Sequence, residues 1–170
     1  LFLIMSSIFD FLKKKIWNLP RIISHLSFGF LILFIGLNHN FSVEKDFNLK
    51  LGEIKKIDNY KFSLLDLKLN QETNYKAVVG KLEVSNLNTM EKRILNPEIR
   101  IYDNPQTLTY EASIQTNFLG DHYLTMSNID RSEYYNVKFQ HKPLMIWIWI
   151  SVVLLSFGGF LSLFKNAKNN

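Results

Sequence analysis

Two apolar runs, residues 22–37 and 144–164, stand on either side of about a hundred residues of mixed polarity. A bilayer core of about 30 Å needs about 20 helical residues at 1.5 Å each. Residues 19–38 meet that length, and the eleven Leu, Ile and Phe of residues 22–37 favour insertion by on the order of 5 kcal/mol. Pro20 suits a first helical turn, where its missing N–H costs nothing. Trp17 stands where an interfacial aromatic is expected. The second span, residues 143–164, opens with Pro143, carries Trp147 and Trp149 near one end, and is followed by Lys165 and Lys168.

Charge agrees with this layout. Residues 1–38 carry Lys13, Lys14, Lys15 and Arg21 against Asp10, and residues 142–170 carry Lys142, Lys165 and Lys168 with no acid, so each end is +3. Residues 39–141 sum to −1. The basic excess therefore flanks the apolar runs, as the positive-inside rule requires. A nucleic-acid binder would carry it as a patch on the folded domain, so no nucleic-acid partner is expected. Membrane lipid is. Both basic flanks belong on the cytoplasmic side, and the middle of the chain is expected outside. With no cysteine, disulfides, thiolate metal sites and a cysteine nucleophile are excluded.

Residues 1–12 are apolar but too short to span, and their lysines follow the apolar stretch, whereas a signal peptide has its charges first. They are expected to be the tail of an earlier span, in a chain that is a fragment or one part of a split protein. The middle reads as strands. Tyr135, Val137 and Phe139 alternate with Asn136, Lys138 and Gln140, and Tyr110, Ala112 and Ile114 alternate with Glu111, Ser113 and Gln115. Period-two patterning of this kind predicts half-buried strands. Residues 60–69, 76–84 and 98–102 are further candidates. Turn signals fall at 70–74, 86–89, 103–106, 120–121 and 128–132.

The expected architecture is thus two transmembrane α-helices flanking a small extracytoplasmic antiparallel β domain, a barrel or sandwich. Residues 1–18 would be the end of a preceding span plus a basic cytoplasmic loop, 19–38 a transmembrane helix and 39–142 the β domain. Residues 143–164 would be the second transmembrane helix and 165–170 a frayed cytoplasmic tail.

One ionisable group lies inside the first run. His25 shares a helical face with Gly29, Ile32 and Gly36, at i+4, i+7 and i+11. An ionisable side chain in a span is by default a functional-site hypothesis. Two glycines on its stripe allow close approach by another helix or by a flat macrocycle. Neutral imidazole is a common ligand of haem iron, but it serves equally as a hydrogen-bonded packing residue. Neither run holds an Asp or Glu, which weakens a proton relay, and neither holds a second histidine, so a bis-imidazole site needs its other ligand from elsewhere. Arg21, one turn before His25, could anchor an acidic group such as a haem propionate or snorkel to headgroups. His39, His122 and His141 fit no zinc spacing and read as solvated. Tyr110 and Glu111 read as structural, and no phosphate loop, GxSxG or HExxH is present.

Several segments taken in order resemble the C-terminal part of the CcmF family of cytochrome c-type biogenesis proteins. Leu19-Pro20-Arg21, Ser24-His25-Leu26 and Gly29 are followed by Asn40-Phe41-Ser42-Val43-Glu44-Lys45-Asp46. Thr73-Asn74-Tyr75 is similar to its PNY segment, Pro97-Glu98-Ile99-Arg100-Ile101-Tyr102 to PExRxY and Glu111-Ala112-Ser113-Ile114 to EAAI. Lys142-Pro143-Leu144, Trp147-Ile148-Trp149 and Gly158-Gly159 are similar to KPxxxWIW…GG.

The resemblance implies a membrane haem lyase that takes haem from the chaperone CcmE and, with CcmH, attaches it to the CxxCH thiols of apocytochrome c. It also implies a haem b held by two transmembrane histidines, with His25 matching the second. The groove along Gly29 and Gly36, with Arg21 beside it, would then face that cofactor. The family's tryptophan-rich WWD segment and its flanking external histidines are absent here, and His141 stands where the family often has Tyr. The resemblance therefore implies a C-terminal module that works with the N-terminal part of CcmF, in the bacterial inner membrane with its β domain in the periplasm, or in the mitochondrial inner membrane. The alternative is a non-catalytic scaffold tethered by two spans, with His25 serving helix packing only.

Overall fold

The structure is a computed structural model that describes residues 2–13, 19–129 and 132–168, the side chains of 165–168 aside. Lys14, Lys15 and Trp17, part of the expected 128–132 turn, and the side chains of Lys165 and Lys168 lie outside the described residues. The elements in order are α1 (Phe2–Leu12), α2 (Leu19–Phe41), β1 (Val43–Lys50), β2 (Ile54–Ile57), β3 (Tyr60–Gln71), β4 (Tyr75–Asn86), β5 (Lys92–Leu95), β6 (Glu98–Asp103), β7 (Gln106–Glu111), β8 (Ser113–Asn117), β9 (Gly120–Asn128), β10 (Tyr134–Pro143) and α3 (Met145–Lys168). They cluster into two units: the three helices with residues 117–121, and the strands between them.

In the helical unit, α2 and α3 are each long and apolar enough to cross a membrane, and only about a tenth of each apolar stretch is buried within the chain. The rest of that surface must meet lipid or other protein. The two helices run antiparallel and meet through small residues. A Cβ on Gly158 would fall on the Ser24 hydroxyl and backbone nitrogen, while Ser27 and Ser151 are buried. Small side chains let helix backbones approach closely where no hydrophobic force separates helix from lipid. Phe34 packs on Trp147 with ring centroids 6.0 Å apart. α2 extends past Asn38 to Phe41, and there the Asn38 amide donates to the Pro143 carbonyl at 2.5 Å. The short helix α1 packs on α2, with Ile4 buried.

The β unit is a sandwich of antiparallel sheets, ordered β1-β10-β9-β8 and β2-β3-β4-β6-β7, with β5 also paired to β4. Alternation supplies the core. Phe47 and Leu49 from β1, Phe62 and Leu64 from β3, Leu82 and Val84 from β4, and Val137 and Phe139 from β10 all point inward. Phe62 stacks obliquely on Phe47 (4.6 Å) and edge-on to Phe139 (5.2 Å). Side chains of this size buried completely contribute roughly 1.5–3 kcal/mol each. On the outward side of β4 and β6, Tyr75 lies opposite Tyr102 and Arg100 sits over the Tyr75 ring at 4.7 Å while pairing with Glu98 at 2.8 Å. The PNY-like and PExRxY-like segments thus meet as a cross-strand cluster.

Two expectations need correction. Residues 110–115 are not one strand: the chain breaks at Ala112, with β7 in one sheet and β8 in the other. The period-two pattern continues through that corner, so alternation alone could not reveal it. Gly120–Asp121 is not a turn but the start of β9; the turn is Phe118–Leu119, two apolar residues with no turn signature. β1, β2, β5 and β9 had no counterpart among the sequence candidates.

Candidate functional site

His25 lies on the exposed face of α2, and among the described residues no hydrogen bond, ion pair or ring contact engages its imidazole. Further along the same face, Gly29, Ile32, Leu33, Gly36, Leu37 and Asn40 line an open groove of about 340 Å³. The two glycines differ. A Cβ on Gly36 would meet nothing within 4 Å, whereas a Cβ on Gly29 would stand 2.6 Å from Ile4 Cγ1. Gly29 therefore lines the groove and also admits α1, and Gly36 alone leaves bare backbone. An imidazole that no described residue engages, above a smooth apolar surface, suits a flat ligand whose central atom takes a nitrogen lone pair.

Arg21, one turn before His25, is 53% exposed and pairs with Asp10 of α1 at 3.3 Å. That single contact uses one of five guanidinium donors, so the side chain can still bind an acidic group. His39 is exposed in the last turn of α2. Tyr110 donates to Asn128 at 3.2 Å and Thr109 donates to Glu111 at 2.9 Å, both structural contacts.

The β unit holds an arrangement that sequence spacing did not reveal. His122, at the start of β9, is 8% exposed. It stacks on His141 of β10 with centroids 4.5 Å apart and an interplanar angle of 30°, and Phe139 lies 5.9 Å away. Burial pushes the His122 pKa down to about 4, helped by His141 and Arg93 and opposed by Glu91. Parallel rings do not converge two nitrogens on one point, so the pair is not a chelating geometry. No group of three or more metal-ligating side chains occurs among the described residues.

Comparison with known proteins bears on the chain as a whole. Residues 40–143 match the family described as the CcmF C-terminal beta-sandwich. The chain is 28% identical over 141 residues to the cytochrome c-type biogenesis protein CcmF of Escherichia coli (strain K12), covering 83% of this chain and 22% of the relative. It is 29% identical over 154 residues to the cytochrome c-type biogenesis protein ccl1 of Rhodobacter capsulatus, covering 88% and 23%. A solved structure, the cytochrome c heme lyase CcmF, superposes with a TM-score of 0.62 at 16% identity, over 82% of this chain and 23% of that one. The chain thus spans less than a quarter of the length of these proteins.

Proposed function

Because the chain belongs to the CcmF C-terminal beta-sandwich family, we propose that it acts as the C-terminal module of a cytochrome c haem lyase, with His25 supplying one axial ligand to a transmembrane haem b. The observation that carries this reading is an exposed imidazole, engaged by none of the described residues, on the face of an apolar, membrane-length helix, above the open backbone at Gly36. The residues fit the group. His25 would offer a ring nitrogen to iron, Gly36 and Ile32 would lie against the porphyrin plane, and Arg21 would meet a propionate. A bound haem b would supply one-electron chemistry at its iron.

The protein's part is to orient the imidazole and exclude water with the Leu and Ile of the same helix. The second ligand would come from the N-terminal part of CcmF, which is also where the missing cover for the apolar faces would lie. The β domain would sit in the periplasm, or outside a mitochondrial inner membrane, and dock CcmH, CcmE or the apocytochrome c.

Co-expression with the N-terminal part of a CcmF protein, followed by haem spectroscopy, tests the reading. His25→Ala should abolish the b-type signal, and an unchanged spectrum overturns the ligand role. The contact of Gly29 with Ile4 favours helix packing for that one glycine. If packing were also the task of His25, a His25→Leu variant would mature cytochrome c fully.

A further inference from the structure

The turn between β8 and β9 is built from the wrong residues for water. Two-residue hairpin turns favour Asn, Asp and Gly, yet here the tip is Phe118 and Leu119, 69% and 77% exposed. The polar work is done one residue earlier, where the Asn117 side-chain oxygen accepts from the Leu119 and Gly120 amides at 3.0 and 2.9 Å. Gly120, at φ 155°, supplies the backbone that other residues rarely adopt.

The tip is fastened to the first turn of α3. Trp147 Nε1–H donates to the Phe118 carbonyl at 3.0 Å, and the Leu144 amide donates to the Leu119 carbonyl at 2.9 Å. Both backbone carbonyls at the tip are thereby satisfied, while both side chains project away from cover. Residues 117–121 cluster with the helices rather than with the remainder of their own strands.

A helix that crosses a membrane carries its first turn through the interfacial layer, where tryptophan is enriched. Trp147 and Trp149 are in that turn and the next. A loop hydrogen-bonded to Trp147 and Leu144 lies at the same depth. We propose that the Phe118–Leu119 tip inserts its side chains into the boundary between lipid headgroups and acyl chains, making a third membrane contact beside the two spans. Lipid is the occupant the observations favour. The tip has no charge of its own, both of its carbonyls and the Leu119 amide are already paired as an apolar medium requires, and its anchor is an interfacial tryptophan rather than a recognition surface.

The absence of cysteine makes the test direct. The full chain carrying Leu119→Cys is labelled with an environment-sensitive fluorophore and reconstituted in phosphatidylcholine vesicles. Phe118→Cys gives a second tip position, and Leu69→Cys on β3, where Leu69 is 85% exposed, serves as the aqueous control. Spin-labelled lipids with the label within about 5–10 Å of the headgroup boundary should quench both tip positions strongly and the control weakly. Aqueous iodide should do the reverse, with several-fold less quenching at the tip. His25→Ala should leave this pattern unchanged, so failure of the haem reading and failure of the insertion are separable. Tip labels quenched by iodide as readily as Leu69→Cys overturn the proposal, and so do tip labels shielded from both quenchers, which would mean that protein covers them.

Discussion

At the residue scale, His122 is the side chain whose surroundings differ most from what its place in the sequence suggests. It lies 19 residues from His141, in no motif, and only the pairing of β9 with β10 brings the rings together. No spacing rule could have found it, because the convergence is tertiary. Its proton affinity has a consequence for stability. The ordinary value is 6.5 and the folded value about 4, so between these the unfolded chain binds more protons than the folded one. Stability is full above about pH 6.5, falls as the pH drops towards 4, and levels off below. The loss over that window is on the order of 3 kcal/mol. A series of denaturant melts from pH 7.5 to 4 should show this decline, and His122→Phe, which keeps a ring against Phe139 and His141, should flatten it. A wild-type profile without any slope in this window would show that the imidazole is not held neutral by the fold.

At the scale of elements, the faces of α2 are divided among three tasks. Ser24 and Ser27 face α3, Gly29 admits α1, and His25, Ile32 and Gly36 are left open. The helix and its stripe were legible in the sequence, because bilayer thickness and a period of 3.6 convert directly into residue counts. The division between the two glycines was not, since it depends on where α1 returns.

The division predicts opposite outcomes for one substitution. Gly29→Ala forces Ile4 aside and should destabilise the helical unit by roughly 1–3 kcal/mol. Gly36→Ala meets empty space and should be neutral or stabilising by up to about 1 kcal/mol, through helix propensity. Thermal melts in detergent would rank the pair, and in the haem-loaded complex only Gly36→Ala should lower haem content without loss of fold. Among the strands, those with clean alternation were legible. β1 was not, because Lys45 interrupts the inward row of Val43, Phe47 and Leu49, and β5 was too short to show a period.

At the scale of the whole molecule, the buried core of the sandwich among the described residues is drawn from Phe47 to Phe139, with Val43 packed against it. A fragment of residues 43–141 should therefore fold without detergent, with the circular dichroism of a β protein and one cooperative melt, and it should keep the pH dependence set by His122. Aggregation of that fragment in every condition would show that the spans are needed for folding as well as tethering. Architecture was legible at this scale from hydropathy and strand alternation, while the route of the chain between the two sheets was not.

That route has its own consequence. β7 passes into β8 through the single residue Ala112, and the Ser113 hydroxyl just beyond it accepts the Asn96 amide. Strand sidedness reverses with every residue. Adding one amino acid at this elbow would turn β8 over and carry that hydroxyl to the opposite side, whereas adding two would restore the parity. Natural length variation at the corner should accordingly come in even steps.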